Sequence, residues 1–174
     1  MKNNIITLIG YMGSGKSTIG RLLATTLEIA FVDLDLYISE KEKLSIAEIF
    51  EKKGEAAFRM LELNYLKEVL ERNDKFVLAL GGGTPTIENA MELILAHSTS
   101  FYLKASVPTL AKRLAPSTVE RPILNNISND YLESYIEGHL KNRIAHYNSA
   151  DNTISVDKLS KKTIVEVILK ITQF

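Results

Sequence analysis

The sequence predicts an α/β fold, a five-stranded parallel sheet flanked by helices, and three observations carry that expectation. Five short apolar runs rich in β-branched or aromatic residues alternate with stretches of helical periodicity along the 174 residues. A glycine-rich turn, GYMGSGKST from Gly10 to Thr18, separates the first run from the first helical stretch. The triplet Gly81-Gly82-Gly83 closes the third run.

Residues 5–9 (IITLI) form the first expected strand, ending directly at Gly10. The turn that follows fits the pattern G-x-x-x-x-G-K-[ST]. Such a P-loop needs glycines where backbone N–H groups curl around phosphate oxygens, a lysine for the β/γ-phosphates and a hydroxyl for Mg²⁺, all at a helix N-terminus. Gly10, Gly13, Gly15, Lys16 and Ser17 supply these parts, with Ser14 and Thr18 completing the loop. The bland alternative is a strand-to-helix turn with an incidental lysine. Against it, residues 17–27 place Ile19, Leu22, Leu23 and Leu27 on one helical stripe, giving the loop its helix.

Residues 30–33 read as the second strand. Ser45-Ile46-Ala47-Glu48 is a capping-box sequence that opens a short helix through Lys53, and Gly54 is expected to stop it. Residues 55–72 form a longer helix with Phe58, Leu61, Leu66, Val69 and Leu70 on its apolar side. Strands at 76–80, 99–103 and 153–156 alternate with helices at 89–96, 108–114, 131–148 and 159–172, and Pro108 is tolerated in a first turn. Residues 115–130, with two prolines, three asparagines and weak periodicity, are long for a connection and read as a lid or, more plainly, a surface loop.

The length suits one domain, covering 1–174. Equal numbers of basic and acidic residues, 21 each, leave no global field for nucleic acid or an anionic membrane, so an anionic ligand must be held locally. Cysteine is absent, which excludes thiolate chemistry and disulfides. The N-terminal apolar run is too short for a signal peptide, and no stretch approaches a membrane span. These readings point to a cytoplasmic protein, a monomer acting on small molecules, with neither nucleic acid nor membrane as partner.

Asp33 and Asp35 fall at the carboxyl end of the second strand, where ligands bind in open α/β sheets. On a strand they would share one face, one near Mg²⁺ and one near a substrate hydroxyl; otherwise one of them caps the next helix. Arg59 and Glu62 lie three apart on one helix and share a face. With Arg143, Arg59 offers a planar guanidinium clamp suited to a carboxylate. Three glycines in a row let backbone approach a ligand closely, or merely start a flexible loop. His97, His139 and His146 have no metal-ligand spacing, and Tyr131, Tyr135 and Tyr147 read as packing groups.

The ordered set GYMGSGKSTIGR, FVDLD, IFEKKGEAAFR, LALGGG, ERPIL and KNRIAHY resembles the shikimate kinase family over about four-fifths of the sequence. The resemblance implies a fold related to nucleoside monophosphate kinases, with an acceptor-binding region over about 34–62 and a lid over 115–130. It implies transfer of the ATP γ-phosphate to the 3-hydroxyl of shikimate in chorismate and aromatic amino acid biosynthesis, with Mg²⁺ as cofactor. Gly13, Ser14, Gly15, Lys16, Ser17, Thr18, Arg113 and Arg121 would bind ATP. Lys16, Asp35 and Arg121 would be catalytic, and Ser17 and Asp33 would serve the metal. Asp35, Arg59, Gly81, Gly82, Gly83 and Arg143 would bind shikimate, with Phe50 and Phe58 walling its pocket.

Some departures stand out. Ser39, followed by Glu40, stands where family members commonly carry an acidic residue, and Leu80 leads straight into glycine with no Walker B aspartate. Metal support then falls to Asp33. Two other readings share the motifs: a gluconate-type kinase, whose substrate also has a carboxylate, and a non-catalytic ATP-binding module, which has no need of Asp35.

Overall fold

A computed structural model describes residues 4–115 and 129–172. Its centre is a parallel sheet of five strands: β1 (Ile5–Ile9), β2 (Ala30–Asp33), β3 (Phe76–Ala79), β4 (Thr99–Lys104) and β5 (Asn152–Ser155). Their order is β2-β3-β1-β4-β5. β1 is central and wholly buried, pairing Thr7 with Leu78 on one side and with Ser100 on the other. The chain crosses β1 between β3 and β4, so the loop after β1 opens at a switch point of the sheet, where ligand crevices form.

The helices are α1 (Lys16–Leu27), α2 (Leu34–Glu42), α3 (Ile46–Leu70), α4 (Ala90–His97), α5 (Val107–Leu114), α6 (Asn129–Lys141), α7 (Ile144–Asn148) and α8 (Lys161–Thr172). The expected capping box is formed: Ser45 Oγ accepts from the Glu48 amide at 3.2 Å, and the Ser45 amide donates to the Glu48 carboxylate at 2.8 Å. Gly54 ends the first helical segment as expected: at φ 80° and ψ 171° it is non-helical, and a second segment starts directly after it, the two following one another across a kink as α3.

Two expectations change. The span 131–148 is two helices, because at Arg143 the backbone turns and its amide bonds to Leu140 O, tightening the end of α6. α2 was not expected, since Asp33-Leu34-Asp35-Leu36 alternates with the period of a strand. The core contains Phe76, Phe101, Tyr102 and Tyr147, all essentially inaccessible, whereas Tyr131 stands exposed and does not pack. Among the described residues no helix is long and apolar enough to cross a membrane.

Candidate active site

The loop after β1 is shaped by its glycines. Gly10 has φ +144°, and a Cβ there would meet Leu103 O at 2.8 Å. Gly15, at φ +103°, is the N-cap of α1, a position that a residue with a side chain would occupy only under strain. Lys16 is buried, and its Nζ donates to Gly10 O at 2.8 Å and Tyr11 O at 3.1 Å. Ser17 Oγ donates to Asp33 Oδ2 at 2.7 Å. From α5, exposed Arg113 donates through Nη1 to Gly13 O at 3.1 Å and Ser14 O at 3.2 Å. Thr18 is exposed at the same cleft.

The second strand ends at Asp33, so Asp35 lies in the first turn of α2 and not on the strand as expected. The two carboxylates still turn to one cleft. Neither is engaged in capping: Asp33 occupies the N-cap position without a side-chain cap bond, its carboxylate being taken up by Ser17. Burial pushes the Asp35 carboxyl up to about 6, aided by the negative charges of Glu62 and Asp33 and opposed by Lys16 and Arg59.

Arg59, in the part of α3 beyond the kink, donates through Nη1 to Glu62 and through Nη2 to Glu55 at 3.1 Å. Glu62 is buried, and its other oxygen accepts from Thr84 Oγ1 at 2.7 Å. The glycine triplet fits against this group. A Cβ on Gly81 would come within 2.9 Å of Asp35 Oδ1, and one on Gly83 within 2.4 Å of Arg59 Nη1. The triplet therefore makes room for neighbouring side chains as well as for any ligand.

Arg143, the N-cap of α7, donates through Nη1 to His139 O at 3.0 Å. The His139 ring bonds Tyr11 OH through Nδ1 at 2.8 Å, and burial, then the positive charges of Arg143 and Arg59, hold its imidazole below the ordinary value. Phe50 and Phe58, from the two halves of α3, pack with their rings tilted and centroids 4.6 Å apart.

One open cleft of about 1030 Å³ gathers Gly13, Ser14, Gly15, Lys16, Ser17, Thr18, Asp33, Asp35, Phe50, Phe58, Arg59, Gly81, Gly82, Gly83, Arg113 and Arg143. Of the residues singled out in the sequence, Arg121 lies outside the described residues, as does all but the ends of 115–130. Sequence reasoning did not place Ile46, Met12, Glu62 or Leu159 in the cleft, though all line it. Glu62 had a signal in its spacing from Arg59. Leu159, from the far end of the chain, had none.

A parallel sheet in this order, a P-loop after its central strand and a cleft uniting that loop with carboxylates and arginines define a P-loop small-molecule kinase. The shikimate kinase family model matches residues 12–173. The shikimate kinase of Flavobacterium psychrophilum is 42% identical over 167 residues, 95% of this chain and 97% of that one. A crystal structure of the shikimate kinase from Bacteroides thetaiotaomicron superposes with a TM-score of 0.91 at 33% identity, covering 98% of both chains. The shikimate kinase from Acinetobacter baumannii, in complex with shikimate, superposes with a TM-score of 0.89 at 33% identity over 98% of this chain and 93% of that one. The chain belongs to the shikimate kinase family, and with that family it is an ATP-dependent kinase.

Proposed function

We infer that the chain transfers the γ-phosphate of ATP to the 3-hydroxyl of shikimate, giving shikimate 3-phosphate on the route to chorismate and the aromatic amino acids. The observation that carries this reading is one cleft holding a P-loop lysine, a half-buried aspartate and two arginines together. A gluconokinase from Sinorhizobium meliloti superposes with a TM-score of 0.61 at 17% identity, a likeness of fold alone.

Phosphoryl transfer needs positioning and charge neutralisation more than covalent help. Lys16 leaves the Gly10 and Tyr11 carbonyls to meet the transferring phosphate, while the amides of Gly13, Ser14, Gly15 and neighbouring loop residues hold the others. Thr18 flanks the phosphates, and Arg113 lies beside the nucleotide. Ser17 and Asp33 fit Mg²⁺, because an adjacent hydroxyl and carboxylate are hard oxygen donors and leave other positions to phosphate and water. When bound, the ion neutralises phosphate charge. Asp35 orients the attacking hydroxyl and accepts its proton, with a pKa of about 6 suited to a base near neutral pH.

Arg59 and Arg143 grip the acceptor carboxylate, Gly81, Gly82 and Gly83 bring backbone against it, and Phe50 and Phe58 wall the ring. Residues 34–62 are thus the acceptor-binding region of a one-domain enzyme, a monomer of the cytoplasm with neither nucleic acid nor membrane as partner. The lid over 115–130 rests on the length and composition of that stretch and on the sequence resemblance, and the phosphate contact of Arg121 on the resemblance. The test is incubation of purified protein with ATP, Mg²⁺ and shikimate, with gluconate in parallel, read by mass spectrometry. Shikimate phosphate is expected. Its absence from folded protein, or phosphorylation of gluconate alone, overturns the reading.

A further inference from the structure

We propose that Tyr147 is a positioning residue for the acceptor carboxylate, acting through the two arginines that hold it; this rests on the function inferred above. Tyr147 is wholly buried, its ring tilted against Tyr102 with centroids 5.1 Å apart. Its hydroxyl donates to Gly82 O at 2.5 Å, across 65 positions of sequence. Burial pushes that phenol far above its ordinary value, so it remains a neutral donor at any working pH.

What the bond joins gives it a function. Gly82 is the centre of the glycine triplet, and its neighbour Gly83 lies so close to the Arg59 guanidinium that even a methyl group there would collide. Tyr147 stands in α7, whose N-cap is Arg143, and the Tyr147 amide donates to Arg143 O at 3.0 Å. One hydroxyl therefore ties the turn that backs Arg59 to the helical turn that carries Arg143. Without it, the two guanidinium groups lose their common reference while each keeps its own partners, Glu62 and His139 O. A clamp of two arginines on one carboxylate depends on their separation, so a loosened separation weakens grip on that carboxylate and on little else.

The experiment is steady-state kinetics on Tyr147→Phe with shikimate and with its carboxamide analogue, ATP being varied separately. Tyr147→Met, which lacks both the ring and the donor but stays apolar, is the second variant, and assays run below each variant's own melting transition. The expected result is a rise in KM for shikimate of about three- to tenfold, the worth of one hydrogen bond, with kcat and KM for ATP unchanged. The carboxamide, lacking the charge the clamp reads, should show the same KM in native and variant protein. An unchanged KM for shikimate in a folded variant overturns the proposal. Equal rises for shikimate, carboxamide and ATP overturn it too, since they mark general loosening. A native chain inactive on shikimate overturns the assigned reaction and this inference with it, a result distinct from an active native chain matched by Tyr147→Phe.

Discussion

In the function inferred above, the phosphate side and the acceptor side of the cleft each receive an anion, but they are made of different materials. The phosphate side is mainly backbone, a loop of nine consecutive residues from Gly10 to Thr18 with Gly10, Gly13 and Gly15 at positive φ. The acceptor side is mostly side chains, drawn from α2, both halves of α3 and the N-cap of α7, with the backbone of the glycine triplet beside them. Their cations rest differently as well. Lys16 is parked on two neutral carbonyls, while Arg59 lies between Glu62 and Glu55. Glu55 is exposed, so giving up that bond for a substrate carboxylate is cheap, whereas buried Glu62 keeps the guanidinium in place. The phosphate side is preformed by conformation and the acceptor side by a charge network.

Breaking the phosphate side should give the largest effect. Lys16→Met removes the charge that the proposed reaction sets against the transferring phosphate, and kcat should fall by roughly 10²–10³-fold, the worth of a preorganised donor to developing charge. Circular dichroism should report an intact fold. A loss under about tenfold would mean that backbone amides suffice on that side.

The acceptor side should answer to single arginines by losing affinity. Arg59→Ala or Arg143→Ala should weaken shikimate binding in calorimetry by about 1.5–3 kcal/mol each, with ATP affinity unchanged. Arg59→Ala should be the worse of the two, because it also leaves Glu62 buried without its cation, and a shikimate affinity equal to native in either variant removes that arginine from the clamp. A subtler change of the same kind is Gly83→Ala. Its methyl would lie 2.4 Å from Arg59 Nη1, the end of a side chain that can shift, so the protein should fold while KM for shikimate rises about tenfold. An unaltered KM would show that Arg59 tolerates displacement.

This contrast also explains what the sequence reveals. The P-loop is contiguous and each residue type has one physical job, so its position after β1 and before α1 was legible. The acceptor side is assembled by tertiary contacts. Arg59, Arg143 and Asp35 could be singled out by type, yet nothing local says that Gly83 packs on Arg59 or that Tyr147 reaches Gly82. α2 was hidden because its first residues alternate like a strand, and tertiary packing of Leu34 and Ile38 overrides that period. The break at Arg143 carries neither glycine nor proline, the usual punctuation of a helix end. Gly54 was a true signal, a non-helical residue that ends one helical segment and lets the next start directly after it.

The acceptor side should also be the side that taxes stability, and Asp35 is where this can be measured. Its carboxyl is raised by burial, then by Glu62 and Asp33, from 3.8 to about 6. Between those values the folded chain binds more protons than the unfolded one, so stability falls as pH rises through that window and stays reduced above it. The full shift corresponds to about 3 kcal/mol at neutral pH. Asp35→Asn removes the charge but leaves an amide to be hydrogen-bonded, so a net gain of about 1–2 kcal/mol is expected in urea unfolding at pH 8. At pH 4, where Asp35 is largely protonated in the native state, most of that gain should vanish. Kinase activity should be lost in the same variant, and native kcat/KM should rise with pH through about 6 as the free enzyme's Asp35 ionises. A variant no more stable than native at pH 8, or equally stabilised at both pH values, would mean that the charge at Asp35 is compensated, and that the acceptor side carries no more strain than the P-loop.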